Sequence, residues 1–118
     1  MKSFTDLDVW KESRKLASDI YHLTKAFPKD EVFGLTSQMR RCAVSIPSNI
    51  AEGNGRRSPK DTMNFLHIAR GSLFELETQT YIAFDQNYIN DKLLKITLEQ
   101  ITSCKKLVNG FINYYKSL

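Results

Sequence analysis

The sequence predicts an all-α protein: an antiparallel up-and-down four-helix bundle with a proline-kinked second helix. Three observations carry this. Apolar residues recur at spacings of three and four through four segments, each of roughly twenty residues or more. Short connections rich in Pro, Gly, Asn and Asp separate those segments. No alternating apolar–polar run competes as a strand. Short loops make consecutive helices antiparallel neighbours, and 118 residues suffice for one domain, residues 1–118, with a core that needs no disulfide or metal.

The first helix is predicted from a cap at Asp6 or Asp8 to about Ala26. Its apolar stripe is Leu16, Ile20, Leu23 and Phe27, with Trp10 and Ala17 beside it. Phe27-Pro28 stops it, because proline restricts its predecessor and cannot extend the hydrogen-bond ladder. Asp30 or Glu31 then lies near the start of the second helix, where a carboxylate suits the exposed amides. That helix carries Leu35, Met39, Cys42, Ile46 and Ile50 in one row. Pro47 interrupts it chemically, removing a hydrogen bond to Ala43, yet the row resumes, so the spacing predicts a kink and not an end. Ser45 and Ser48 are placed to bond backbone groups there. Gly53 and Gly55 are expected to close the helix in the left-handed conformation.

Ser58-Pro59-Lys60-Asp61 starts the third helix, with Ser58 as N-cap, Pro59 in the first position and an acid in the first turn. It runs to about Phe84, with Phe65, Ala69, Leu73, Leu76, Ala83 and Phe84 expected inside. Gly71-Ser72 offers no bulk and invites close approach. Gln86-Asn87 turns the chain, and Asn90 or Asp91 caps a fourth helix carrying Leu94, Ile101, Cys104, Val108, Phe111 and Tyr115. Nine further apolar residues lie off these rows: Val9, Ile68, Phe74, Ile82, Leu93, Ile96, Leu98, Leu107 and Ile112. So large a surplus predicts association with other subunits.

Apolar and charged fractions of 42% and 25% are those of an ordinary globular protein. No segment approaches the roughly 18 uninterrupted apolar residues of a membrane span. The N-terminal MKSFTDLDVW has acids where a signal peptide has an apolar core, so a cytoplasmic protein without membrane contact is expected. Cys42 and Cys104 fall inside apolar patterns and read as buried thiols, with an interhelical disulfide as the alternative.

The net charge of +4 is unevenly placed. Residues 1–39 and 71–118 are each balanced, and the excess lies in 40–70, where Arg40, Arg41, Arg56, Arg57, Lys60 and Arg70 face only Glu52 and Asp61. A local basic excess concentrates polyanions and favours phosphate contact. The alternatives are a solubilising face or intersubunit salt bridges. A polar row also accompanies the second helix: Gln38, Arg41, Ser45, Asn49 and Glu52, at steps of three and four. Glu75 on the third helix is placed to pair with Arg41, and Asn49 to satisfy carbonyls freed by Pro47. The row reads as a structural network fixing the kink and helix register, or as the lining of a ligand pocket.

These residues resemble a known family, the 23S ribosomal RNA intervening-sequence proteins, also called S23. The match runs through Phe4, Leu7, Trp10, Phe27-Pro28, Glu31, Gly34-Leu35, Gln38 and Arg40-Arg41. Its most specific part is SIPSNIAEG, Ser45 to Gly53, followed by Phe65-Leu66, Ile68-Ala69, Gly71-Ser72 and Glu75-Leu76-Glu77. It covers about residues 4 to 85; the fourth helix matches in pattern only. The resemblance implies an up-down bundle assembling into a ring-like homopentamer. It also implies a link to RNA, since some members are encoded within inserts in ribosomal RNA genes. A related branch serves as the accessory protein of diversity-generating retroelements, beside a reverse transcriptase.

Enzymatic readings find little support. No Glu is followed three residues later by His, as a di-iron bundle requires. His22 and His67 have no partners at zinc-ligand spacing, and Gly53-Asn54-Gly55 lacks the Lys-Ser/Thr of a P-loop. No cofactor or metal is expected, and Glu52 or Glu75 as acid–base groups is the weakest reading. The leading expectation is a non-enzymatic, oligomeric accessory protein that binds RNA or DNA through the 40–70 region. The alternative is an adaptor whose ring binds another protein, such as a reverse transcriptase.

Overall fold

Helix ends in this chain are written in side chains that satisfy exposed backbone groups. In a computed structural model describing residues 3–118, four α-helices follow the apolar segments: α1 (Asp8–Thr24), α2 (Leu35–Asn54), α3 (Pro59–Asp85) and α4 (Asp91–Lys116). Short 3-10 turns at Phe4–Asp6 and Lys29–Glu31 precede α1 and α2. Ser58 accepts from the Asp61 amide at 3.2 Å, with Pro59 in the first position of α3. Asn90, and not Asp91, caps α4, accepting from the Leu93 amide at 2.9 Å. α3 closes with paired bonds, Asn87 N–H to Phe84 O and Tyr88 N–H to Ala83 O, both 2.9 Å. Asn87 takes the left-handed conformation this motif needs, at φ 63°.

Three starts and stops differ from expectation. Neither Asp6 nor Asp8 caps α1: Asp6 accepts from the Ser3 amide and closes the preceding 3-10 turn, while Leu7 precedes α1 without a side-chain cap. α2 begins after Gly34, and Glu31 reaches forward so that its Oε1 accepts from the Leu35 amide at 3.1 Å. No glycine adopts positive φ among the described residues, so Gly53 and Gly55 do not end α2 by a left-handed turn. Gly55 lies at φ −86°, ψ 0°. Gly53 is still helical and is small for another reason: a Cβ there would sit 3.0 Å from Phe65 Cβ and 3.3 Å from the Thr62 carbonyl. The glycine lets α3 cross close to the end of α2, and Thr62 donates to the Gly53 carbonyl at 2.8 Å.

Each helix packs on its two neighbours, α1 on α2, α2 on α3, α3 on α4 and α4 on α1, while no diagonal pair brings Cα atoms within 8 Å of each other. The bundle measures 45 × 24 × 20 Å. Its interior holds Leu16, Ile20, Met39, Ile46, Ile50, Leu66, Leu73, Leu76, Ile101 and Val108, all fully buried. α2 runs unbroken across Pro47. Phe65 does not face inside as the pattern suggests; Leu66 takes that place and Phe65 is half-buried. Among the off-row residues, Val9 and Ile112 belong to the chain's own core. Ile68, Phe74, Ile82, Leu93 and Ile96 are exposed. No described helix is long and apolar enough to cross a membrane.

Candidate nucleic-acid interface

The α2–α3 connection is short because Gly55 follows α2 directly and Ser58-Pro59 starts α3 at once, which leaves Arg56 and Arg57 in the turn. Arg56 stands 3.3 Å from Glu52 and 4.5 Å from the centroid of Phe65. Both partners of that ion pair are well exposed, so it holds the guanidinium weakly. Arg57 is exposed and has no ion-pair partner among the described residues. Lys60 lies in the first turn of α3. The antiparallel course returns the end of α4 to this place, where Lys60, His67, Tyr115 and Lys116 border one shallow depression. Lys116 escapes a charge count along the chain because its segment is neutral overall.

The other three arginines lie elsewhere. Arg40 and Arg41 precede the turn by some fifteen residues of helix, about 22 Å along the axis. Arg40 turns to the α1–α2 seam, where its Nε donates to Thr24 Oγ1 at 2.8 Å and its guanidinium lies 4.8 Å from the Tyr21 centroid. Arg41 reaches back along its own helix to Ser37 Oγ at 3.4 Å. Arg70 turns to the α3–α4 seam, donating to Asn109 Oδ1 and His67 Nδ1, each at 3.1 Å. A guanidinium only donates, so Nδ1 is the acceptor in the contact with His67. Because the helices pack in the ring order α1, α2, α3, α4, the α1–α2 and α3–α4 seams are on opposite sides. The six basic residues therefore do not share one face; Arg56, Arg57 and Lys60 form the cluster.

The polar row also resolves differently. Arg41 and Glu75 do not pair, since Arg41 bonds to Ser37 and the ion pairs among the described residues are Arg56–Glu52 and Lys105–Glu77. Gln38 is exposed. Ser45 Oγ donates to the Cys42 carbonyl at 2.6 Å and meets Ser72 Oγ at 2.8 Å. The Cys42 thiol donates to the Ser72 carbonyl at 3.0 Å. Asn49 donates to the Ser45 carbonyl at 2.7 Å, so it does not serve the Ala43 carbonyl that Pro47 leaves free. Ser48 is exposed and bonds no backbone group among the described residues. These bonds join α2 to α3 through Ser72 and Cys42, neither of which stood in the predicted row. Burial raises the Cys42 thiol pKa, and the nearby Glu75 carboxylate raises it further. Cys104 is pushed up to about 12 by burial and the charge of Glu12. Both cysteines are free, buried and held as thiols, without the depressed pKa of a nucleophile. No three His, Cys, Asp or Glu side chains converge on a metal position among the described residues.

Fold and site together define a small four-helix-bundle protein that carries three exposed basic residues, Arg56, Arg57 and Lys60, at one helix turn. The chain belongs to the 23S rRNA-intervening sequence protein family, whose model matches residues 5–110. Among solved structures it is similar to a protein of unknown function from the S23 ribosomal protein family of Bacteroides thetaiotaomicron. The two superpose with a TM-score of 0.82 at 24% identity, over 89% of this chain and 95% of that one, a likeness of fold. No curated protein matches the chain.

Proposed function

We propose that this protein is a cytoplasmic, non-enzymatic accessory protein that binds RNA, or nucleic acid more broadly, by phosphate contact through the α2–α3 turn. One observation carries the reading: the chain's whole positive excess falls in residues 40–70, and half of its cations there stand at a single turn. Arg56 and Arg57 are exposed, and Lys60 is one turn away. Side chains so placed neutralise phosphates and release counterions, which gives affinity without sequence preference. The family's description as an intervening-sequence protein supports a link to ribosomal RNA.

The protein acts as a homo-oligomer, a pentamer by its resemblance, which repeats the turn and adds weak contacts through avidity. Support for self-association comes from α3, where Ile68, Phe74, Tyr81 and Ile82 are exposed and a Cβ at Gly71 would meet nothing within 4 Å. The same surface favours a second reading, an adaptor that binds another protein, of which a reverse transcriptase is the one the resemblance suggests. Fluorescence anisotropy with labelled single- and double-stranded RNA and DNA, across a salt series and with oligomer mass measured alongside, separates the two. The nucleic-acid reading predicts affinity that falls with salt. No binding at low salt by an intact oligomer contradicts it and leaves the adaptor.

A further inference from the structure

The opposite end of α2 carries a second basic feature of different construction. Where α1 ends and the chain turns through Pro28 into α2, a cleft of about 450 Å³ opens. Three cations border it, Lys25, Lys29 and Arg40, and no carboxylate does. Arg40 is fixed in place: its Nε is bonded to Thr24 and its plane rests by Tyr21. Its Nη1 and Nη2 groups have no partner among the described residues, so the fork's outer donors are left for a ligand.

One turn earlier on α2, Thr36 also lines the cleft. It is 6% exposed, and its hydroxyl has no hydrogen-bond partner among the described residues. Thr24, Thr62 and Thr80 each donate to a carbonyl at 2.8 Å, whereas Thr97, equally buried on α4, shares with Thr36 the lack of a partner among the described residues. The Thr36 hydroxyl is not sealed from solvent, so beside the open guanidinium fork it is free to donate to a ligand oxygen in the cleft. The remaining wall is apolar, formed by Phe27, Pro28 and Val32.

We infer that this cleft binds a phosphomonoester carrying a flat, partly apolar body, such as a nucleoside 5′-phosphate. The dianion matches three bordering cations better than a monocarboxylate does, and the Arg40 fork suits two phosphate oxygens at once. Thr36 donates to the same group, while the body lies along Phe27 and Pro28. The size is that of a small-ligand pocket. The ligand is either a free nucleotide or the 5′-terminal nucleotide of a strand. The inference does not depend on the α2–α3 turn, which lies at the far end of the helix.

Two-dimensional ¹H–¹⁵N NMR of the full chain, titrated with AMP, adenosine, inorganic phosphate and a short RNA with or without a 5′-phosphate, tests it. AMP or the 5′-phosphorylated strand is expected to give saturable shifts within residues 24–40, phosphate weaker ones, and adenosine or the 5′-hydroxyl strand none there. Saturation by AMP identifies a free nucleotide as sufficient; saturation by the phosphorylated strand alone identifies a strand terminus. Lys25→Ala/Lys29→Ala changes only exposed side chains and is expected to weaken binding about tenfold, the equivalent of roughly 1.4 kcal/mol. Thr36→Val is expected to weaken it about fivefold, with recovery in Thr36→Ser. Arg56→Ala/Arg57→Ala leaves it unchanged, which separates this site from the turn. No saturable shift with either phosphate ligand at millimolar concentration overturns the inference. So do shifts confined to the α2–α3 turn, or affinity indifferent to both cleft variants.

Discussion

The two ends of α2 use arginine in opposite ways. At the N-terminal end the charged group itself is built in: Arg40 is clamped by Thr24 and Tyr21. Nearby Tyr88 donates to Glu31 at 2.7 Å, tying the turn to the α3–α4 connection. At the C-terminal end the backbone is fixed, by Gly53 against α3 and by Thr62 on the Gly53 carbonyl, while Arg56 and Arg57 are loosely held. A clamped guanidinium has given up its conformational entropy in advance and suits one ligand in one geometry. Exposed arginines on a rigid turn suit a backbone of repeated phosphates, where register matters little.

The comparison breaks most visibly at Gly53. Gly53→Val forces side-chain atoms against Phe65 and the Thr62 carbonyl and is expected to cost about 3 kcal/mol in chemical denaturation, as overpacking does. An unchanged midpoint would mean the turn's backbone is not held by close approach. Arg40→Met is next, with an expected loss of about 1 kcal/mol for the hydrogen bond to a buried hydroxyl and the aromatic contact. Arg57→Ala, an exposed change, stays within about 0.5 kcal/mol of wild type. Equal effects of the two would erase the distinction between built-in and loose.

A gain of similar size to the Arg40→Met loss is expected from Gln79→Met. Gln79 Oε1 is buried without a partner, whereas the hydroxyls that anchor both ends of α2 are satisfied. Removing that unmet acceptor raises stability by about 1 kcal/mol in the same assay. The smallest effect is on pH dependence at the Glu31–Tyr88 contact. The Tyr88 hydroxyl and the Leu35 amide hold the Glu31 pKa below its ordinary value. Its contribution is therefore present above the ordinary glutamate pKa and is lost as pH falls through the lowered one. The Tyr88 pKa is raised, first by its bond to Glu31, so its own share is lost only as pH rises through that raised value. NMR titration of Tyr88→Phe should show the Glu31 pKa moving upward; no movement would remove the tie.

Much of this was legible in the residues. The cap at Ser58, a cap at Asn90 or Asp91, the persistence of α2 through Pro47 and the core rows of α1 and α2 follow from spacing and local chemistry. What escaped depends on which helix lies across the way. α3 is apolar over much of its circumference, so Phe65 and Leu66 were equally plausible inward residues, and only the position of α2 decides between them. A glycine after a helix reads as a left-handed cap, yet Gly53 answers to Phe65 twelve residues on. The basic segment looked like one patch because charge was counted along the chain. Folding puts about 22 Å of helix between Arg40 and Arg56 and sends Arg40 and Arg70 to opposite seams. Lys116 joins the turn only through the return of α4.

The central claim is that nucleic acid is held by the α2–α3 turn and not by a single face running the length of α2. The salt dependence of binding to a single-stranded RNA lacking a 5′-phosphate tests it most directly, compared among wild type, Arg56→Ala/Arg57→Ala/Lys60→Ala and Arg40→Ala/Arg41→Ala. Each phosphate contact contributes about 0.7 to the slope of log K against log salt for a single strand. The turn variant should therefore lose about 2 from the slope of each protomer's contacts, with the α2 variant matching wild type. Equal losses in both would restore a single extended face. An unchanged slope in the turn variant would remove the turn from the interface.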